Sequence, residues 1–444
     1  MPNPGKGPTL FAALLAVAAL SGAPAPAESP AGPAATPPTD QEIDAWFARI
    51  PAGEAAQVEE EVRGRIAALE GTPHADAIVM THLLSVLSLA LALGGKASDP
   101  ATMALAERNL ALTERVVGTE HQLYARALTD CSRVALQGGN YPIARGYAER
   151  SLALRERLLP AGDPSIGRAL VSLGTVVQKA GDPNEGRRLM ERGLAIYEKA
   201  EKVDPLWIPA GNMTLGILLI DLRELDEAEM RLTRARDGLT SLYGEKNPHV
   251  ANAINALGIV HELKGDLVRA RDDYERALAI QVAVLPSENP YIAGILHNLS
   301  LVSHNMGDTA AAADFERRAL AMSEKTWGPD HQETLRGRHA LGIYLGALGE
   351  SEEAERFLAA ALAGREKSLG PDHFDTAESL AGLADLYVDT GRAEEALPLL
   401  LRALAVRETA LGPDHPIVAL SLSSLSRCEA RLGRREAARL HSGR

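Results

Sequence analysis

A period of 42 residues constrains this chain more than any other feature. The segments LGPDHP at 411–416, LGPDHF at 369–374 and WGPDHQ at 327–332 lie 42 residues apart. Counting upstream from His415 at the same interval reaches His373, His331, Asn289, Asn247, Pro205, Asp163 and His121 without a gap. A fixed period of this size is the mark of a solenoid, in which each unit buries its apolar face against its neighbours. Eight units follow from it, 76–117, 118–159, 160–201, 202–243, 244–285, 286–327, 328–369 and 370–411, with a partial ninth at 412–444.

The columns of this stack predict helical hairpins. One reads Leu89, Cys131, Leu173, Leu215, Leu257, Leu299, Leu341, Leu383 and Leu425. The next residue is small in every unit (Ala90, Ser132, Gly174, Gly216, Gly258, Ser300, Gly342, Ala384, Ser426), which lets a second helix approach closely. Eight residues past the Leu column stand Gly139, Gly181, Gly265, Gly307, Gly349, Gly391 and Gly433, with Ala97 and Arg223 as the departures. Glycine there takes φ > 0 and ends the first helix. Ala144, Ala228, Ala270, Ala312, Ala354 and Ala396 recur on the second helix, followed by a further Leu column. Each unit therefore reads as an A helix, a glycine turn, a B helix and a longer loop. Unit 202–243 lacks its turn glycine and is expected to bend locally. In the loops Asp163, Asn247 and Asn289 suit a helix N-cap, and Pro164, Pro248, Pro290 and Pro416 follow where a missing N–H costs nothing.

Counted from Ala377, the residues Leu380, Leu383, Ala384, Tyr387, Ala396, Leu400 and Ala403 fall at the seven inner signature positions of the tetratricopeptide repeat. Residues 76–444 resemble that family, and the 42-residue spacing with its LGPDH loop resembles the kinesin-light-chain subtype. Most second-helix aromatics of the pattern are absent, and Ser303 and His261 replace Tyr387. The resemblance implies an all-α, right-handed superhelical solenoid of helix-turn-helix repeats. Its concave face, lined by A helices, would bind proteins or peptides.

Before the repeats come three other segments. Residues 1–27 read as a signal peptide: Lys6, an apolar run from Leu10 to Leu20, a break at Ser21-Gly22, and small residues at Ala25 and Ala27 before Glu28. The apolar run is shorter than the roughly 20 residues a membrane-spanning helix needs. An exported chain, periplasmic or extracellular, with no integral membrane span after cleavage is expected. The alternative is an uncleaved N-terminal anchor. Residues 28–39 form a Pro/Ala-rich linker, and 40–75 a helical N-terminal cap with Asp40 at its start and Glu59-Glu60-Glu61 on its solvated side. The stretch 412–444 is a partial repeat and capping helix carrying an excess of arginine.

Composition and motifs argue against several functions. A formal net charge of −13 with 4% aromatics makes a poor nucleic-acid ligand, since phosphate binding needs a basic field and often stacking rings. GxSxG, GxGxxG, GxxxxGK[ST], CxxC and HExxH patterns are absent, so no enzyme is expected, and no cofactor. His331, His373 and His415 recur too far apart for a metal: neighbouring units place them on the order of 10–20 Å apart, against ligand distances of about 2 Å. Cys131 and Cys428 are seven units apart and read as buried small hydrophobes.

The expected site is a groove across units 202–369. With the Leu column as zero, the positions five and two before it and two and six after it point away from the B helix at 100° per residue. They bring together Asn252, Asn255, Ile259, His297, Leu301, Arg336, His339 and Ile343. Asn298 joins them, and the resemblance points to Asn255 and Asn298 because kinesin-light-chain repeats carry Asn at these places. An aliphatic floor from Ile217 to Ile343 with hydrogen-bonding walls suits an extended peptide. The other reading is that the aliphatic stripe only packs against the next A helix. A non-catalytic scaffold for a protein or peptide partner is expected, with end-to-end self-association of the array as the alternative. On the export reading, N-terminal sequencing of the mature protein starts at Glu28; an intact Met1 on cytosolic protein would overturn it.

Overall fold

Glycines with positive φ set many of the helix boundaries. The computed structural model describes residues 37–50, 54–70, 76–285 and 289–442. The expected signal peptide 1–27 and residues 28–36 of the linker lie outside the described residues, as do 443 and 444. Gly139, Gly181, Gly265, Gly307, Gly349, Gly391 and Gly433 have φ between 75° and 102° and close the A helices. Gly118, Gly244, Gly328, Gly370 and Gly412 have φ between 78° and 91° and close the B helices.

Among the described residues the secondary structure is helical, with no strand. The cap contributes α1 (Asp40–Arg49) and α2 (Ala55–Glu70). The hairpins are α3 (Ala77–Leu91) with α4 (Pro100–Val117), α5 (Gln122–Gln137) with α6 (Tyr141–Leu158), and α7 (Pro164–Lys179) with α8 (Pro183–Lys199). Next come α9 (Trp207–Asp221) with α10 (Leu225–Tyr243), α11 (Pro248–Leu263) with α12 (Leu267–Val284), and α13 (Pro290–Asn305) with α14 (Thr309–Trp327). Then follow α15 (Gln332–Ala347) with α16 (Ser351–Leu369), α17 (Phe374–Asp389) with α18 (Ala393–Leu411), and α19 (Pro416–Arg431) with the short α20 (Arg435–Ser442). The chain forms two compact units, an N-terminal one ending at Val260 and a C-terminal one starting at His261, with residues 283–285 belonging to the first.

Side chains start most A helices. Asp163, Asn247 and Asn289 each accept the backbone N–H two residues on, at 2.8, 2.8 and 2.9 Å. The histidines of the loop do the same through Nδ1: His121 at 3.1, His331 at 3.2, His373 at 3.1 and His415 at 3.2 Å. The repeating histidine row is therefore a set of helix caps. In the N-terminal cap, Thr39 rather than Asp40 caps α1, in a reciprocal box with Glu42. Of the three expected solvated glutamates Glu60 and Glu61 are exposed and Glu59 is half-buried; Glu59 pairs with Lys96 and Glu61 with Arg49.

In the N-terminal unit, Trp46, Val58, Val62, Leu83 and Val86 form one core of α1, α2 and α3. The stretch Ala77–Lys96 is long and apolar enough to cross a membrane by composition, but 67% of it is buried inside the protein, as a core helix is. In the C-terminal unit, Leu341, Leu345, Leu358 and Leu383 join α15, α16 and α17, and Leu400, Val418, Leu422 and Leu425 join α18 and α19. Cys131 and Cys428 are free and buried.

The repeat without a turn glycine keeps the same turn. Arg223 takes φ 62° itself, the only described non-glycine residue to do so, and Glu224 N–H still bonds Leu219 C=O at 3.0 Å. A side chain in the left-handed region costs about 1–2 kcal/mol. The first repeat solves the same problem differently: Gly95 supplies φ 82° within a π segment, Ala92–Lys96, two residues before Ala97.

Arg223→Gly is therefore expected to stabilise the protein by about 1 kcal/mol, read as a higher denaturation midpoint with unchanged m-value. Gly342→Leu is expected to destabilise it by about 1–3 kcal/mol through overpacking. Even a Cβ at Gly342 would meet Leu358 Cγ at 2.6 Å.

Candidate functional site

The small-residue column, not the Leu column, marks the side on which each A helix meets its B helix. A Cβ at Gly174 would lie 2.8 Å from Gly186 O and Met190 Cγ of α8, and one at Gly216 2.7 Å from Leu232 Cγ of α10. The hydroxyls of Ser132 and Ser426 each donate at 2.8 Å to a B-helix carbonyl, of Ala144 and Ala438. This turns the helical wheel by 100° from the sequence reading. The positions five before and six after the Leu column then look away from both flanking layers. The position two before turns inward, and the position two after faces the next A helix.

The structure corrects the expected groove accordingly. In the N-terminal unit Asn252, Asn255 and Ile259 are 5%, 1% and 0% exposed, and Ile217 1%. These side chains are interior, so they do not line an open floor. In the C-terminal unit Asn298 is fully buried and His297 6% exposed. His297 faces the B helix instead of pointing away from it, with Nδ1 2.9 Å from Glu316 of α14. His339 and Ile343 abut the next A helix: a Cβ at Gly382 would meet His339 Cε1 at 2.7 Å and Ile343 Cδ1 at 3.1 Å. Burial pushes the His339 imidazole down to about 4, so it is neutral at physiological pH. Leu301 and Arg336 stay half-exposed, Arg336 paired with Glu333 one turn earlier. Of the nine expected residues, the structure thus leaves Leu301, Arg336, Ile343 and the edge of His339 at the surface of the C-terminal unit.

Two titratable networks escape a column-by-column reading. Glu316 is 1% exposed and lies against both His297 and the Ser300 hydroxyl, which donates to it. A serine, a histidine and a carboxylate converge here in the wrong order for nucleophilic catalysis. The carboxylate sits in the middle, and the imidazole is on the carboxylate rather than on the serine. Glu262 of α11 accepts the buried Tyr274 hydroxyl at 2.9 Å, beside a His261–Asp273 pair at 2.7 Å.

The hairpin stack has matches among known proteins. Family profiles for the tetratricopeptide repeat match residues 208–281, 291–367, 341–409 and 375–442, and a further one matches 125–165. The chain belongs to the tetratricopeptide repeat family. A protein of Podosopora anserina described as a kinesin light chain with nearly identical tetratricopeptide-like repeats is 26% identical, over 44% of this chain and 92% of that one, with a TM-score of 0.39. The tetratricopeptide-sensor ATPase of Pyrococcus horikoshii is 14% identical over 89% of this chain and 54% of its own, with a TM-score of 0.53. A Rap protein complexed with competence and sporulation factor is 15% identical over 88% of this chain and 98% of that one, with a TM-score of 0.50. The last two share the fold. No curated protein matches.

Within this tetratricopeptide array Glu262 makes a pH-dependent contribution. Burial raises its carboxyl from 4.5 to about 7, against the opposing pull of the Tyr274 hydroxyl. A raised carboxyl means that the folded chain holds a proton the unfolded chain has released. Stability is then full below about pH 4.5 and declines as pH climbs through 7. Glu262→Gln is expected to flatten that decline, with a higher melting temperature than the natural chain at pH 8 and little difference at pH 5. Asn298→Ala, by removing a fully buried amide, is expected to cost about 1–3 kcal/mol in chemical denaturation.

Proposed function

We propose that this tetratricopeptide array is a non-catalytic scaffold that binds a peptide segment or partner protein on the open face of its A helices. The supporting observation is geometric. The B helices pack on the small-residue column, so one face of each A helix carries no B helix. In the C-terminal unit Arg336 lies on that face, and Leu301 and Ile343, at its edge toward the next A helix, stay half-buried. Apolar anchors with a nearby charged donor are what an extended segment needs for affinity and orientation. The tetratricopeptide repeat is generally a protein-interaction fold, and the Rap protein of this fold was captured with a bound factor.

On this reading the protein works outside the cytoplasm, in the periplasm or beyond, because of the leader at 1–27, and its partners are to be sought there. A second reading is end-to-end association of copies. Two exposed leucines on the last helices favour it, Leu420 at 55% and Leu440 at 65%.

The test is affinity capture from envelope extracts, followed by titration of the captured partner. Leu301→Asp is expected to abolish binding, and Arg336→Ala to weaken it by about 1.5–3 kcal/mol. Glu60→Ala on the N-terminal cap should leave it unchanged. If the double change of Leu301 and Arg336 left affinity untouched, the open face of the C-terminal unit would be the wrong surface. Concentration-dependent growth in light scattering, lost in Leu440→Asp, would favour self-association instead.

A further inference from the structure

An inner hairpin and the last one differ in what covers the A helix. On α17, Ala377 and Val388 are fully buried and Ala381 is 8% exposed. One period on, α19 carries Ala419, Ala430 and Ser423 at these places, and all three are exposed. The length of the B helix accounts for part of this: α16 and α18 run for 19 residues and α20 for 8. In α16 the second half of the helix provides the cover, where Gly364 packs on Leu335, the residue that holds on α15 the place of Ala419. Leu420 and Leu440 stand out of the same hairpin, 55% and 65% exposed.

This hairpin is also basic. Residues 416–442 hold five arginines and two glutamates, and one of the glutamates, Glu429, is taken by His441 at 2.7 Å. Arg427 is paired with Asp385 of α17 at 2.5 Å. Arg431, Arg434, Arg435 and Arg439 are exposed and make no ion pair among the described residues. Arg434 shows what has changed. It holds the place of Arg392, whose guanidinium pairs with Glu355 and Glu395 at 2.6 and 2.8 Å. One period on from those two carboxylates stand Leu397 and Ala437. On α20, Arg435 and Arg439 lie one turn apart on one face, and Glu436 is the one carboxylate beside them.

The opposite charge stands at the other end of the sequence. Residues 40–70, the N-terminal cap, hold eight acidic and three basic residues. Most of the acids are engaged by basic side chains, as Glu59 is by Lys96 at 2.8 Å and Glu61 by Arg49 at 2.7 Å. Asp40 and Asp44 of α1 are exposed and unpaired among the described residues. They too lie one turn apart on one face. The helix joins its core through Ile43, Trp46 and Ile50 and leaves both aspartates outside.

We propose that copies of this chain join head to tail: the α19–α20 hairpin of one copy takes the N-terminal cap of another, with Arg435 and Arg439 against Asp40 and Asp44, and with Leu420 and Leu440 buried in the joint. This deepens the end-to-end reading and rests on it, not on the peptide-binding one. Charge selects the partner, since the same chain carries unpaired cations on its last hairpin and unpaired carboxylates on its first helix. Exposed ion pairs add little each, so the leucines supply affinity, while the charges set orientation and the rate of encounter. The joint uses two different surfaces, so it repeats from copy to copy, as an open string or a closed ring.

The experiment is sedimentation velocity on the mature chain over a concentration series, at low and at high sodium chloride. The mean mass is expected to rise with concentration at low salt and to rise less at high salt, because salt screens exposed charges. Arg435→Glu with Arg439→Glu, and separately Asp40→Lys with Asp44→Lys, are each expected to weaken association by about tenfold or more, because like charges then face each other. Circular dichroism melts check that both variants are folded. Mixing is the decisive arm. Each variant alone meets like charges in every head-to-tail joint, whereas an equimolar mixture restores opposite charges and is expected to associate again. The proposal is overturned if the natural chain keeps one size at low salt, if the variants associate as it does, or if the mixture does not recover. Association kept by the charge variants but lost in Leu440→Asp would leave the end-to-end reading standing and overturn this pairing. Binding of the natural chain to vesicles of anionic lipid, without self-association, would give the basic hairpin to a membrane surface and overturn it too.

Discussion

Everything in this protein hangs on the line where each A helix touches its own B helix. Gly174, Gly216 and Gly342 bring backbone to within van der Waals reach of the facing helix, and Ser132 and Ser426 spend their hydroxyls on its carbonyls. That contact fixes the rotation of the A helix about its axis. Rotation in turn decides which side chains reach solvent, which meet the next A helix, and which are sealed inside. Interior packing is too dense to allow an intermediate setting. Function on this scaffold is therefore chosen one residue at a time, at positions whose outlook the small column has already settled.

The period, the hairpins, their glycine turns and most caps were legible because each is a local requirement with a local residue to meet it. A left-handed turn needs glycine, and an orphan N–H needs an oxygen or a bare imidazole nitrogen. The site was less legible. Taking the Leu column as the reference for the wheel misdirected it by one residue, and that step alone moved Asn255 and His297 from a supposed groove wall into the interior. Glu316 was invisible for another reason: a lone charged residue on a B helix looks like a solvated one until its neighbours Ser300 and His297 are brought across from α13.

The position of Arg155 shows how freely the scaffold varies inside a constant frame. Its equivalents are Thr113, Tyr197, Leu239, Gln281, Ser323, Arg365 and Arg407. Thr113, Leu239 and Gln281 are 1% or less exposed, yet they are a hydroxyl, a hydrocarbon and an amide. A wedge between successive A helices accepts any of these because each repeat needs only to satisfy its own two neighbours.

The histidine caps carry a consequence for the environment in which the array works. Nδ1 can accept a backbone N–H only while it holds no proton; once protonated, the ring becomes a donor facing another donor. It would also set a positive charge against the positive end of a helix. Of these caps His331 is the one whose imidazole burial holds below its ordinary value, which keeps its Nδ1 bare and the start of α15 closed. The helices that start on Asn247 and Asn289 reach the same end with an amide oxygen, which has no proton to gain in that range.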